Sequence, residues 1–85
     1  MPWRLLLTRR AERDLADLPP QDGASIERAL ARLLSDPAGS DLRKLAGREN
    51  EWRLRVGRWR AVLQLDTATG TITVLRVLAR RDAYR

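Results

Sequence analysis

The residues whose type and spacing could do chemistry are arginines, and four of them sit in residues 51–66, EWRLRVGRWRAVLQLD. This stretch alternates with period two on both sides of Gly57-Arg58. That is the pattern of a β-hairpin with a two-residue turn, glycine first. The turn fixes the register. Val56 faces Trp59, Leu54 faces Ala61 and Trp52 faces Leu63, all apolar and on one face. On the other face Arg55 sits opposite Arg60, and Arg53 opposite Val62. Like charges directly across a ladder destabilise it. Two guanidinium groups roughly 5 Å apart repel by about 1 kcal/mol in water and about 3 kcal/mol at an effective dielectric near 20. A sheet selected for stability alone avoids that pair, whereas a sheet that holds an anion uses it. The planar fork of arginine donors suits bidentate binding of phosphate.

The charge of the whole chain agrees. The net charge is +6, and residues 1–41 carry six Arg against seven acids while residues 42–85 carry eleven Arg and Lys against four acids. Sixteen of the 17 basic residues are Arg, and Lys44 is the one Lys. An arginine-biased proteome accounts for Arg over Lys but not for the concentration of charge in one half. A polyanion, nucleic acid above all, is the partner this implies. The chain has no Cys and no His. That excludes disulfides, thiolate and imidazole metal sites and histidine acid–base catalysis, and no cofactor is expected. With 85 residues, 44% of them apolar, the expectation is one small domain over residues 1–85. No apolar run approaches the ~18 residues of a membrane span, and the N-terminus lacks a secretion-type layout, so a cytoplasmic protein with no membrane partner is expected.

The elements that must position these arginines follow from the rest of the chain. Residues 3–8, WRLLLT, read as a first strand, and Thr8 can cap the helix that follows. Ala11, Leu15 and Leu18 form one short helical stripe, stopped by Pro19-Pro20. A second helix starts at Pro20 or Gln21, carries Ile26, Ala29, Leu30, Leu33 and Leu34 on one face, and ends at Asp36-Pro37. Residues 38–50 read as a loop, long for so small a domain. After the hairpin, a three-residue loop over 68–70, with Gly70 left-handed, leads into a last strand over 71–80. That register opposes Val62 to Arg76, Arg60 to Leu78 and Arg58 to Arg80, with Leu75, Val77 and Ala79 alternating against Arg76 and Arg80. Strand parity then gathers Arg53, Arg55, Arg60, Arg76 and Arg80 on one surface. The expected architecture is α+β: a two-helix hairpin packed on one face of a twisted, mainly antiparallel four-stranded sheet, with arginines on the other face.

With these elements in place, KLAG at 44–47, WRLRVGRWRAVLQLD at 52–66 and VLRVLARRDAYR at 74–85 resemble the RelE/ParE family of bacterial toxins, as do Ala11, Asp14, Leu15, Leu18 and Pro19 near the N-terminus. The resemblance covers nearly the whole chain and implies a small RelE-like fold. It implies a ribosome-dependent messenger RNA endoribonuclease of a type II toxin–antitoxin system. A 2′-hydroxyl would attack the adjacent phosphate without a metal, leaving a cyclic phosphate and a free 5′-hydroxyl. Carried onto matching positions, the catalytic candidates are Arg53, Arg55, Arg60, Arg80 and Tyr84, and the RNA-binding candidates are Lys44, Arg58, Arg76 and Arg81. The implied partners are a cognate antitoxin, the ribosome and messenger RNA, with the toxin–antitoxin complex binding its own promoter DNA through the antitoxin.

One departure stands out. Some family members carry Lys in the hairpin where this chain has Arg53 and Arg55. Arginine is effectively always protonated and is a poor general base, so the base is not identified, with Tyr84 or ribosomal RNA groups as routes. The plainer readings are a solvated Arg58, an Arg76 paired with Glu51 or Asp82, surface roles for Arg81, Asp82 and Arg85, core positions for Trp52 and Trp59, and a Tyr84 that only packs the tail. Two other functions fit the same family: a ParE-like inhibitor of DNA gyrase, and a non-catalytic nucleic-acid-binding member.

Overall fold

Thr8 begins the first helix as its side chain suggests. It accepts a hydrogen bond from the backbone N–H of Ala11 at 3.1 Å, closing the first turn of α1 (Arg9–Ala16). The strand before it is β1 (Arg4–Leu7), and after a three-residue turn the proline-initiated α2 (Pro20–Ser35) follows. The computed structural model describes residues 3–45 and 50–83. Beyond α2, a 3₁₀ turn (Pro37–Gly39) leads to β2 (Leu42–Lys44), β3 (Glu51–Val56), β4 (Trp59–Asp66), β5 (Thr71–Ala79) and the single-turn helix α3 (Arg80–Ala83). None of the described helices is long and apolar enough to cross a membrane.

The α+β class is as expected, but the sheet has five strands, in the order β1-β5-β4-β3-β2. The extra strand lies inside the stretch expected to be a loop. Leu42, Arg43 and Lys44 pair antiparallel with Leu54, Arg53 and Trp52. β1 runs parallel to β5, and the other pairings are antiparallel. A three-residue strand leaves too little alternation to be seen in sequence; the long neighbouring strand supplies the template.

The central hairpin has the expected register at every pair, from Val56 with Trp59 to Trp52 with Leu63. Gly57 has φ of 59°, and Arg58 is not among the residues with positive φ. Positive φ at the first turn position alone is the type II′ pattern, which matches the right-handed twist of paired strands.

The loop between β4 and β5 differs by one residue. Asp66 pairs with Thr71, so four residues rather than three make the connection, and Gly70 keeps its left-handed φ of 68°. Asp66 accepts from the N–H groups of Ala68 and Thr69 and holds that turn. A register shift between Val62 and Leu63 restores the expected alignment, with Val62 opposite Arg76 and Arg60 opposite Leu78. Leu75 is the extra residue of this bulge, so it does not alternate with Val77 and Ala79. Ile72 and Val74 join Val77 in the core instead. The carbonyl of Leu75 accepts the Thr8 hydroxyl at 2.9 Å. One threonine thus caps a helix and satisfies the bulged strand.

Both helices cover the same sheet face. Ala11 of α1 and Ile26, Leu30 and Leu33 of α2 meet Leu54, Ala61, Leu63, Ile72, Val74 and Val77, all buried. Trp52 and Trp59 pack against this cluster as expected, though each is only partly buried.

Candidate functional site

On the sheet face away from the helices, register stacks charged residues in rows. Arg43, Arg53, Val62 and Arg76 form one row across β2, β3, β4 and β5. Arg55, Arg60 and Leu78 form the next. Asp41 extends the second row at the open edge, because the Arg55 N–H donates to the Asp41 carbonyl at 3.0 Å. Arg80 closes the site from the first residue of α3, and its N–H donates to the Arg58 carbonyl at 2.8 Å. The result is a pocket of about 360 Å³ lined by Asp41, Arg43, Arg53, Arg55, Arg60 and Arg80. Val62 lies on this arginine-bearing face, yet only 8% of it is exposed. The stems of long charged side chains cover apolar surface in this way.

Arg60 is the anchor. Only 5% of its surface is exposed, and its Nη1 donates to the carbonyls of Gly57 and Trp59 at 2.9 and 2.8 Å. The turn that fixes the hairpin register therefore also fixes the guanidinium. Its Nε is buried and has no hydrogen-bond partner. Nε and Nη2 share the edge that grips a carboxylate or phosphate side-on. A buried donor left unsatisfied costs about 1–3 kcal/mol, so an anion placed at this edge recovers that energy. Arg55 opposes Arg60 in register, as expected. The Arg55 Nε lies 2.5 Å from the Asp41 carboxylate, which offsets part of the repulsion between the two guanidinium groups.

Of the nine site residues expected from sequence, the pocket gathers Arg53, Arg55, Arg60 and Arg80. Arg76 shares their sheet face but is held elsewhere. Its Nε and Nη2 donate to the two carboxylate oxygens of Asp14 at 2.8 and 3.4 Å, and neither Glu51 nor Asp82 is that partner. The hydrogen bond it donates to Asp14 raises the Arg76 pKa above its ordinary value against the opposing effect of desolvation, so the guanidinium stays charged. The same carboxylate accepts from the Val77 N–H at 2.9 Å, which makes Asp14 a staple between α1 and β5 beyond the end of β1. Arg76 thus fastens α1 to β5 and does not line the pocket. Arg58 reaches back to Asp22 of α2 at 3.3 Å and lies over the Trp59 ring, 5.1 Å from its centroid. Arg81 is exposed beside Arg58, Trp59 and Ala79, outside the pocket. Lys44 is exposed, and strand parity sets it on the face opposite Arg43. Tyr84 lies outside the described residues.

Sequence reasoning missed Arg43 and Asp41. Both flank Leu42 in a stretch with no strand signal, and only the pairing of β2 with β3 carries them to the pocket. A basic residue immediately before Lys-Leu was no cue by itself without a register to place it.

Comparison with known proteins gives a consistent result. The model for the ParE toxin of type II toxin–antitoxin systems matches residues 5–84. Toxin RelG of Mycobacterium tuberculosis is 37% identical over 89 residues, spanning 100% of this chain and 99% of its own length. Putative toxin RelE1 of Methanocaldococcus jannaschii is 27% identical over 89 residues, spanning 100% of this chain and 98% of its own. Among solved structures, the toxin–antitoxin complex RelBE2 of M. tuberculosis superposes with a TM-score of 0.79 at 31% identity, covering 94% of this chain and 100% of that one. The archaeal RelE–RelB complex of Pyrococcus horikoshii reaches 0.80 at 21% identity over 94% and 97% of the two chains, a likeness of fold.

Proposed function

The chain belongs to the RelE/ParE family of type II toxin–antitoxin toxins, and from that premise we propose that it is a messenger RNA endoribonuclease acting in the ribosome. The 2′-hydroxyl of one nucleotide attacks its own 3′-phosphate. The products are a 2′,3′-cyclic phosphate and a 5′-hydroxyl, and no metal takes part. The observation that carries this reading is the arginine pocket, one of whose lining residues, Arg60, has a buried and unsatisfied Nε. Such a reaction needs fixed positive charge where the pentavalent phosphate forms. Arg60, held by the turn carbonyls, supplies a rigid side-on edge, and Arg55 and Arg80 supply further donors. Arg53 and Arg43 extend the basic surface along the RNA backbone.

A cognate antitoxin is the protein partner, supported by the solved relatives that are complexes with RelB antitoxins. An acidic or apolar antitoxin segment that covers the basic face would silence it by charge neutralisation. Promoter binding by the toxin–antitoxin complex then falls to the antitoxin.

The test is inducible expression followed by mapping of RNA ends on translated messages. Cuts positioned by codon support the reading. Intact messages with a DNA-damage response support the second reading, a gyrase inhibitor, which is favoured by the match to the ParE model over residues 5–84. Arg60→Ala should abolish growth arrest while the purified variant keeps its circular dichroism spectrum. A folded Arg60→Ala protein that is fully toxic would sink the phosphate clamp.

A further inference from the structure

We propose that Asp41 is the group that takes the proton from the attacking 2′-hydroxyl, an inference that rests on reading the pocket as an RNA-cleavage site. Five of the six side chains around the pocket are guanidinium groups. A guanidinium has five N–H donors and no acceptor, and it does not give up its proton at neutral pH. A pocket of that kind can stabilise charge but cannot start the reaction. Asp41 is the one lining residue with lone pairs to offer, and it comes from a part of the chain where no strand was expected.

Its placement fits the task. The backbone bond from the Arg55 N–H to the Asp41 carbonyl extends the β2–β3 ladder by one step. Asp41, Arg55 and Arg60 therefore lie in one row across three neighbouring strands. Strands in a sheet are about 4.8 Å apart, so the backbones carrying Asp41 and Arg60 are separated by about two spacings, with Arg55 between them. That leaves room for a phosphodiester held by Arg60 and Arg80, with its ribose turned toward the carboxylate. Asp41 Oδ2 is engaged by Arg55 Nε, so Oδ1 is the oxygen assigned to the proton. Among the described residues, the charged side chains that line the same hollows as Asp41 are Arg43, Arg53, Arg55, Arg60 and Arg80 on the pocket side and Arg32 of α2 on the other, and the Asp36 carboxylate sits nearby on the Gly39 N–H.

The step balances without an added reactant. The O–H bond of the 2′-hydroxyl breaks, its proton goes to Asp41 Oδ1, and its electron pair forms the O2′–P bond. The P–O5′ bond breaks and its electron pair leaves with O5′, which takes a proton from solvent water. Asp41 later returns its proton to solvent. Arg60 and Arg80 donate to the non-bridging oxygens throughout.

The experiment measures single-turnover cleavage of a defined message on programmed ribosomes by the wild type, Asp41→Asn and Asp41→Glu, together with RNA affinity and the pH profile of the rate. Asparagine keeps the shape and an acceptor for Arg55 but cannot carry the proton. Loss of a general base typically slows a reaction by about 10²- to 10⁴-fold. Asp41→Asn should cleave at least about 100-fold more slowly while binding RNA as tightly as the wild type or tighter. With the proton taken by a group of the protein, the wild-type rate should not follow hydroxide concentration and should be flat between pH ~6 and ~8. The Asn variant should instead rise about tenfold per pH unit as hydroxide takes over the base role. Asp41→Glu should keep a measurable part of the flat profile. If the wild type cleaves and Asp41→Asn cleaves at a similar rate with the same flat profile, Asp41 is not the base and the phosphate clamp stands alone. If the wild type cuts no message, the endoribonuclease reading fails and this inference fails with it.

Discussion

Asp14 holds three donors at once, and its removal gives a graded account of how α1 is fastened. Its carboxylate accepts from Arg76 Nε and Nη2 and from the Val77 N–H. Asp14→Ala strands the Val77 N–H in a partly covered position, which costs about 1–3 kcal/mol. The ion pair adds less than a fully buried one. The Arg76 side chain is 35% exposed against 14% for Asp14, so about 1 kcal/mol is the appropriate scale rather than the 3–5 kcal/mol of a broken buried pair. Alanine's better helix propensity offsets about 0.5 kcal/mol. The net loss is about 2–3 kcal/mol out of the roughly 4–13 kcal/mol expected for a chain of this length. The midpoint of thermal unfolding should fall by about 10–20 °C. Arg76→Met tests the other half of the contact: it should lose only about 1 kcal/mol, because Asp14 still receives Val77. Urea denaturation followed by circular dichroism measures both variants and the double mutant. RNA affinity of Arg76→Met should stay within about threefold of wild type, beyond the small change in salt slope for one surface charge. The staple is refuted if Asp14→Ala unfolds at the wild-type midpoint. The structural role of Arg76 is refuted if Arg76→Met loses RNA affinity as severely as Arg60→Ala.

Gly57→Ala has open space for its methyl group, with no atom within 4 Å, but must hold φ at +59°; the expected loss is about 1–2 kcal/mol from backbone strain alone, read by urea midpoint, and RNA cleavage should fall too because the turn carries Arg60. Thr8→Val removes the cap of α1 and the bond to the Leu75 carbonyl while keeping the volume, and should destabilise by about 1–2 kcal/mol in the same assay. Binding to single-stranded RNA should weaken with salt at a log–log slope of about −2 to −3, as expected for three or four phosphates neutralised by the pocket; a slope near zero would contradict phosphate as the ligand.

Sequence pattern reached the hairpin because its information is local. Alternation around Gly57-Arg58 sets a parity, and parity alone opposes Arg55 to Arg60. The same holds for the Thr8 cap and for Gly70. The parts that escaped depend on partners distant in the chain. Asp14 and Arg76 are 62 positions apart, and no local pattern distinguishes that pair from the closer acids Glu51 and Asp82. The bulge at Leu75 arises where β5 stops pairing with β1 and begins to receive α1, a decision made by packing. β2 is three residues long and borrows its conformation from β3, which is why Asp41 and Arg43 were not expected in the pocket.

The parallel pairing of β1 with β5 joins Arg4 to Thr71 and Leu7 to Val74. During synthesis, a chain emerging from the exit tunnel carries β1 long before its mate exists. The central layer cannot close, and Arg80 cannot take its post, until translation has passed residue 79. Assembly of this fold therefore waits on its last strand, which must seat itself between the first strand and the hairpin in one step.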